Sequence, residues 1–260
     1  MVRKCDVSPH EKRLRAFVAA LFAIPGLVRD GHIVDCGAEK GGESCWLAQL
    51  NASRRVVAIE PLHRNIRVIR QYATTHANII PLRGGLGSVD RIVDMRDAAK
   101  TPKASMVTNL DRAKSADPAV NHSSSHFFSV WRLSSLFGLG GDFAQEHLAF
   151  AHFDAEGAEL DILTGASAII QRDRPIFTIE VEVGKRISRF SFAHALAFLR
   201  AWNYSVYVVP EVCGIEPRCR NAVCFPSERP PPTSLLIAHN MKESLTGQAV
   251  SWRSFLPPTA

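Results

Sequence analysis

HIVDCGAEKGGESCWLAQL, residues 32–50, and the VVAIEP that follows at 56–61 decide the fold. A short apolar run ends in Asp35, and a glycine turn follows at once at Gly37, Gly41 and Gly42. An amphipathic stretch comes next, and then a second apolar run ends in Glu60. Ile33 and Val34 are β-branched and suit a strand buried on both faces. Gly37 lets the backbone turn sharply where that strand ends, and Gly41 and Gly42 leave no side chain between the helix start and a ligand. This order of strand, glycine loop, helix, strand and acid presents a cofactor at the carboxyl ends of a doubly wound sheet.

The loop chemistry narrows the cofactor. A dinucleotide site reads G-x-G-x-x-G, whereas this chain reads Gly37-Ala38-Glu39-Lys40-Gly41-Gly42. Asp35 and Glu39 would repel a pyrophosphate but suit a ligand that carries an ammonium and a sulfonium. S-adenosylmethionine is such a ligand. Glu60 stands where a carboxylate can accept hydrogen bonds from two ribose hydroxyls. The plain alternative is a strand, turn and helix with no ligand at all.

A second constellation, AFAHFDAEGAELDILTGA, covers residues 149–166. An apolar strand ends at Asp154, Glu156, Gly157 and Glu159 follow, and Leu160, Ile162, Leu163 and Ala166 approximate one face of a helix. PIFTIEVEV at 175–183 reads as a further strand with acids near its end. Negative charge gathered at one sheet edge raises the cost of folding unless a cation compensates it. A sulfonium ligand, a metal or a bound amine would do so. Helix N-capping is the competing explanation for Asp154 and Glu156.

IVDCGAEKGG, VVAIEP, HFDAEGAELDILTGA and the PIFTIEVE strand resemble, in that order, the signature segments of FkbM-type methyltransferases, from about residue 31 to about 225. The most specific piece is D-x-E-G-A-E-x-x-x-L-x-G-A, while the glycine loop and the E-P pair are shared by many methyltransferases. The resemblance implies a Rossmann-like class I methyltransferase fold, with a mostly parallel seven-stranded sheet and helices on both faces. It implies methyl transfer from S-adenosylmethionine, typically to an oxygen. Asp35, Gly37, Ala38 and Gly41 match the cofactor loop, Glu60 the ribose-binding acid, and Gly85 within Gly85-Leu86-Gly87 an adenine-side contact. Asp154, Glu156 and Glu159 match the central acidic motif, and Asp154 and Glu156 are the candidate catalytic bases.

This chain departs from the family pattern at three places. His152-Phe153-Asp154 replaces a Lys-Ile-Asp, Leu133-Ser134 replaces a Leu-Asp pair, and Glu39 replaces a loop asparagine. By strand alternation His152 shares a face with Asp154. Asp154, Glu156 and Glu182 are oxygen donors of a type that would suit a divalent metal, although metal assistance is not the favoured reading. A non-catalytic cofactor-binding or scaffold module of the same fold is the first alternative function. An NAD(P)-dependent oxidoreductase is the second, and Asp35 and Glu39 speak against it.

At 260 residues the chain is long enough for one α/β domain with a full core. A domain of this size buries about 75% of the surface its unfolded chain exposes. The expected organisation is an N-terminal helical extension over 1–30, a methyltransferase domain over 31–226 and a Pro-rich, partly ordered tail over 227–260. Polar residues 101–126 read as an insertion or lid, with His122 and His126 as acceptor-site candidates. A formal charge of +6 without a Lys/Arg run or interleaved aromatics gives no reason to expect nucleic acid as a partner. The expected acceptor is a small molecule or carbohydrate.

AFVAALFAIPGLV at 16–28 is shorter than a bilayer requires, so stable membrane insertion is not expected. It reads as a helix beside the sheet, stopped by Pro25 and Gly26, in preference to an export signal. Cys36 and Cys45 read as small buried packing residues. Cys213, Cys219 and Cys224 fit no standard zinc spacing and read as free thiols of a reducing, cytoplasmic compartment.

Overall fold

The apolar runs become strands where the sequence places them. The computed structural model describes residues 4–94, 127–155, 157–182, 192–213 and 219–243. In chain order their helices are α1 (Lys12–Ala23), α2 (Gly42–Leu50), α3 (His63–Ala73), α4 (Leu133–Phe137), α5 (Glu159–Asp173), α6 (Phe192–Ala201) and α7 (Thr233–Ala238). The strands are β1 (His32–Cys36), β2 (Val56–Glu60), β3 (Ile79–Leu86), β4 (Arg91–Asp94), β5 (Phe127–Trp131), β6 (Leu148–Phe153), β7 (Ile176–Glu182), β8 (Tyr204–Val208), β9 (Cys219–Pro226) and β10 (Lys242–Glu243). They fall into two compact units, Met1–Ser8 with Arg29–Pro175 and Pro9–Val28 with Ile176–Ala260.

In the first unit the strand order is β6-β1-β2-β3-β5-β4. The pairs β1/β6, β1/β2, β2/β3 and β3/β5 are parallel, and only β4 runs antiparallel, against β5. Every residue of β2 and β6 is buried, as continuous apolar strands of a doubly covered parallel sheet should be. α3 shows how its sequence chooses a face. Ile66, Ile69 and Tyr72 point inward with Asn65, while Arg64, Arg67 and Arg70 are exposed. On α5 the buried stripe is Ile162, Leu163, Ala166, Ile169 and Ile170, with Leu160 half-buried at its margin.

In the second unit the order is β10-β8-β9-β7, and each of its pairs is antiparallel. β4, β5 and β10 are additional to a seven-stranded plan. α1 lies in this unit and buries Leu14, Phe17, Val18 and Leu21. Phe17 meets Phe225 edge-to-face at 6.3 Å. Glu11 provides no side-chain cap for α1. Glu211 does so instead, accepting the Arg13 N–H at 3.0 Å and the Leu14 N–H at 2.7 Å. The helix ends before Pro25 and Gly26, with Gly26 at φ 75°.

The cysteine reading needs correction. Cys45 is bonded to Cys5, and Cys213 to Cys219, while Cys36 and Cys224 are buried free thiols. Spacing along the chain gave no sign of the first bond. The N-terminal segment must return to α2 across 40 residues before the two sulfurs meet. Residues 101–126, with His122 and His126, lie outside the described residues, as do residues 244–260. The described part of the tail carries α7 and β10. Among the described residues no helix is long and apolar enough to cross a membrane.

Candidate active site

β1 and β2 run parallel with Asp35 opposite Ala58 and Cys36 opposite Ile59, so Glu60 falls one step beyond the last pair. The two strand-end acids therefore reach the same edge of the sheet. Asp35 is 1% exposed. The Ser44 hydroxyl, fully buried in the first turn of α2, donates to Asp35 Oδ2. Asp35 is also the register partner of His152 on β6. β6 ends at Phe153, so the strand alternation that paired His152 with Asp154 stops before reaching that acid.

Glu60 is buried and organises three donors. Its Oε2 accepts the Glu39 N–H at 3.1 Å, and its Oε1 accepts the Leu62 N–H at 2.8 Å and Asn65 Nδ2 at 3.2 Å. Burial raises its pKa, against the pull of these donors, and the nearby Glu39 charge raises it further. A carboxylate offers about four lone-pair sites, two on each oxygen. Oε1 is filled and Oε2 has room for one more donor.

The glycine loop is shaped as much by packing as by a ligand. Gly37 has φ 88°, and a Cβ there would come within 1.7 Å of the Asp154 carbonyl oxygen. The Gly37 and Ala38 N–H groups both donate to the Ile59 carbonyl at 3.1 Å, which fixes the loop to the end of β2. Gly41 has φ 79°, and a Cβ there would meet Ile69 of α3 at 2.8 Å. A Cβ on Gly42 would meet the Asp6 carbonyl oxygen at 2.2 Å. The bare faces at 41 and 42 therefore accommodate α3 and the N-terminal segment. Glu39 sits at φ 46°, in the left-handed region that asparagine and glycine enter most readily. Gly85 lies in β3, where an added Cβ would make ordinary contact with Phe128 at 3.6 Å.

Asp154 follows β6 directly. Its N–H donates to the Cys36 carbonyl at 3.0 Å, and its side chain is half-buried. Glu159 opens α5 and is 2% exposed. Its Oε1 accepts the Ala155 N–H at 3.0 Å and the Gly157 N–H at 3.2 Å, which folds the acidic turn back on itself. Burial raises its pKa to about 7, with the Asp154 charge adding to the effect. Glu156 lies outside the described residues, and the Glu182 side chain is likewise undescribed. Ser134 is in α4, and its hydroxyl is buried with no hydrogen-bond partner among the described residues. The sequence alone does not single out Ser44, Asn65 or the clamping role of Glu159. The available signal was polarity on an otherwise buried helix face, nine residues after Asp35 and five after Glu60.

The donor set fits S-adenosylmethionine in chemistry. Two buried carboxylates stand at adjacent strand ends beside a glycine loop, one with a remaining acceptor position, and no basic side chain lies in the loop between them except Lys40, which is exposed. Among the described residues the groups with metal-ligand spacing are Cys5, Cys45 and His76, and Glu180, Cys213 and Cys219; neither includes Asp154.

The methyltransferase FkbM domain model matches residues 35–206. The solved structure of the FkbM methyltransferase from Methylobacillus flagellatus KT is similar at 19% identity and a TM-score of 0.51, covering 80% of this chain and 47% of that one. The chain thus spans about half the length of that structure. Aeropyrum pernix fibrillarin, solved with natively bound S-adenosyl-L-methionine, is 11% identical with a TM-score of 0.43, covering 82% of this chain and 74% of that one. A search among curated proteins found no match. The fold is the Rossmann-like class I methyltransferase fold. Its family model spans the glycine loop, both strand-end acids and the acidic turn, and the chain belongs to the FkbM methyltransferase family.

Proposed function

We propose that this protein is an S-adenosylmethionine-dependent methyltransferase acting on a hydroxyl oxygen of a small molecule or sugar. The observation that carries this reading is the pair Asp35 and Glu60, buried at the ends of adjacent parallel strands and flanking the loop. Asp35, held by Ser44, would accept the ligand's ammonium, and Glu60 Oε2 would accept a ribose hydroxyl. Bound S-adenosylmethionine supplies a methyl group on a positively charged sulfur. Gly85 is assigned to the adenine side, and the Gly37–Gly41 loop to the amino-acid part.

Asp154 is the candidate general base. It is half-buried at the end of β6, and its backbone is tied to β1 through Cys36. It would take the proton that the acceptor hydroxyl loses as its oxygen attacks. A base contributes roughly 100- to 10,000-fold, and holding the two reactants in line contributes more. Glu159 is unsuited to that role, because its Oε1 is committed to two backbone N–H groups. Glu156 is the second candidate base.

Calorimetric titration of the purified chain with S-adenosylmethionine, S-adenosylhomocysteine and NAD tests this reading, with Glu60→Ala in parallel. Micromolar binding of both sulfur ligands, weakened by the substitution, and no binding of NAD is the expected result. A folded chain that binds neither sulfur ligand would overturn it.

A further inference from the structure

Cys5, Cys45 and His76 converge from three separate stretches of chain, and one ligand atom of each lies within 4.8 Å of the others. Cys5 and Cys45 form a disulfide, and Cys45 Sγ is 3.9 Å from His76 Nε2. The histidine tautomer is set by its surroundings. Nδ1 lies 3.4 Å from the Tyr72 carbonyl, which can only accept. It also lies 3.0 Å from the Thr75 hydroxyl, whose own proton goes to the Tyr72 carbonyl at 3.1 Å. Nδ1 therefore carries the hydrogen, and Nε2 is the acceptor, 3.2 Å from the Gln49 side-chain amide nitrogen that can donate to it and 3.9 Å from Cys45 Sγ. An imidazole held through Nδ1–H by a backbone carbonyl, with Nε2 facing other donors, is the usual outer-shell arrangement of a metal-binding histidine.

The spacing fits a soft divalent ion. With zinc–sulfur bonds of about 2.3 Å and zinc–nitrogen bonds of about 2.1 Å, tetrahedral ligands S and N stand about 3.6 Å apart. The Cys45–His76 separation of 3.9 Å is close to that before any metal is added. We propose that, when the Cys5–Cys45 disulfide is reduced, the two thiolates and His76 Nε2 bind one zinc ion, with water as the fourth ligand.

The redox balance is simple. A dithiol reductant gives two electrons and two protons to the disulfide and itself becomes a disulfide. Zinc then displaces the two thiol protons on binding. In the reverse direction an oxidised thiol such as glutathione disulfide takes two electrons from the thiolates and two protons from solvent, is reduced to two thiols, and the ion leaves. Disulfide and zinc are thus alternative clasps for the same segment. That segment lies against the start of α2, where the Asp6 carbonyl fills the space over Gly42 and the Asp6 N–H donates to the Tyr72 hydroxyl at 3.0 Å.

The test uses the full chain, reduced, stripped with a chelator and titrated with zinc or cobalt alone. Cobalt reports thiolate ligation through a near-ultraviolet charge-transfer band, independently of any methyl transfer. The reduced chain is expected to show that band, and zinc should abolish it. Cys5→Ser and His76→Ala should each remove one equivalent of zinc or weaken it at least about tenfold. Cys5→Ser, at a half-buried position in the N-terminal segment, should melt in chelator like the reduced parent, which separates metal loss from misfolding. Glutathione disulfide should release that equivalent as the disulfide re-forms. The proposal is overturned if the reduced chain shows no charge-transfer band. It is equally overturned if Cys5→Ser and His76→Ala keep the parent's full metal stoichiometry and affinity, or if the oxidised chain retains the equivalent.

Discussion

The α-carbon of Gly37 faces the carbonyl oxygen of Asp154 so closely that a Cβ would stand 1.7 Å from it. The Asp154 N–H meanwhile donates to the Cys36 carbonyl at 3.0 Å. The glycine loop and the acidic turn are therefore one packed unit, and the glycine at 37 is the condition for it. Gly37→Ala must either push Asp154 away or break the loop, and its φ of 88° adds strain of its own. A loss of at least about 3 kcal/mol of stability is expected, read by denaturant unfolding. A variant that unfolds like the parent would show that the loop and the turn separate freely.

Glu60 was legible in the sequence as an acid at a strand end, but its partners were not. Its position predicts a ribose contact, while Asn65 and the Leu62 and Glu39 N–H groups come from the next helix and from the opposite loop. Glu60→Gln is consequently not conservative. An amide nitrogen at Oε1 would face two donors, and at Oε2 it would face the Glu39 N–H. Either way a buried donor pair is left, at a cost of about 1–3 kcal/mol. Both Glu60→Gln and Glu60→Ala are expected to weaken S-adenosylhomocysteine binding roughly 10- to 100-fold in calorimetry. Equal affinity in Glu60→Gln and the parent would remove Glu60 from the site.

The strand, loop, helix, strand and acid order is a local pattern, and it survives in β1, α2 and β2. The reach of the acidic motif was readable for the same reason, because a carboxylate ending an apolar run is a sequence fact. What escaped the sequence depends on chain segments meeting across long intervals. Cys5 joins Cys45 only because the N-terminal segment packs on α2, and the close approach of Ile69 on α3 to Gly41 comes from 28 residues further along the chain. The extra strands β4 and β10 are short, two to four residues, and carry too few alternating positions to declare themselves.

Glu39 holds a left-handed backbone at φ 46° and places a like charge near Glu60. Glu39→Asn should relieve both effects. A gain of about 0.5–1 kcal/mol is expected in thermal or denaturant unfolding. Glu39→Gln separates the causes, since it removes the charge and keeps the backbone strain. If Glu39→Gln gains as much as Glu39→Asn, the backbone contributes nothing.

Asp154 and Glu159 are neighbours in one turn with opposite assignments, so they should fail differently. Asp154→Asn keeps its backbone bond to Cys36 and should lose roughly 100-fold or more in kcat on a working acceptor, with cofactor affinity little changed. Unaltered turnover would transfer the base role elsewhere in the turn.

Glu159 makes a prediction about pH whose sign follows from its burial. Its pKa in the folded chain is about 7, above that of an exposed glutamate. The unfolded chain therefore gives up this proton first, at about pH 4, and between there and about 7 the folded state binds more protons. Stability contributed by this group is full below the unfolded pKa, falls as pH rises through that window, and levels off above it. The total change is about 3 kcal/mol. The Ala155 and Gly157 N–H groups both donate to Oε1, so the amide oxygen of Glu159→Gln can keep those two bonds without a charge. This variant should equal or exceed the parent in stability at pH 8 and lose the slope between pH 4.5 and 7, whereas Glu159→Ala strands two N–H groups and should destabilise at every pH by about 1–3 kcal/mol. Denaturant unfolding of the three chains across pH 5–8 decides it: a Glu159→Gln slope equal to the parent's would mean that another group titrates in that window.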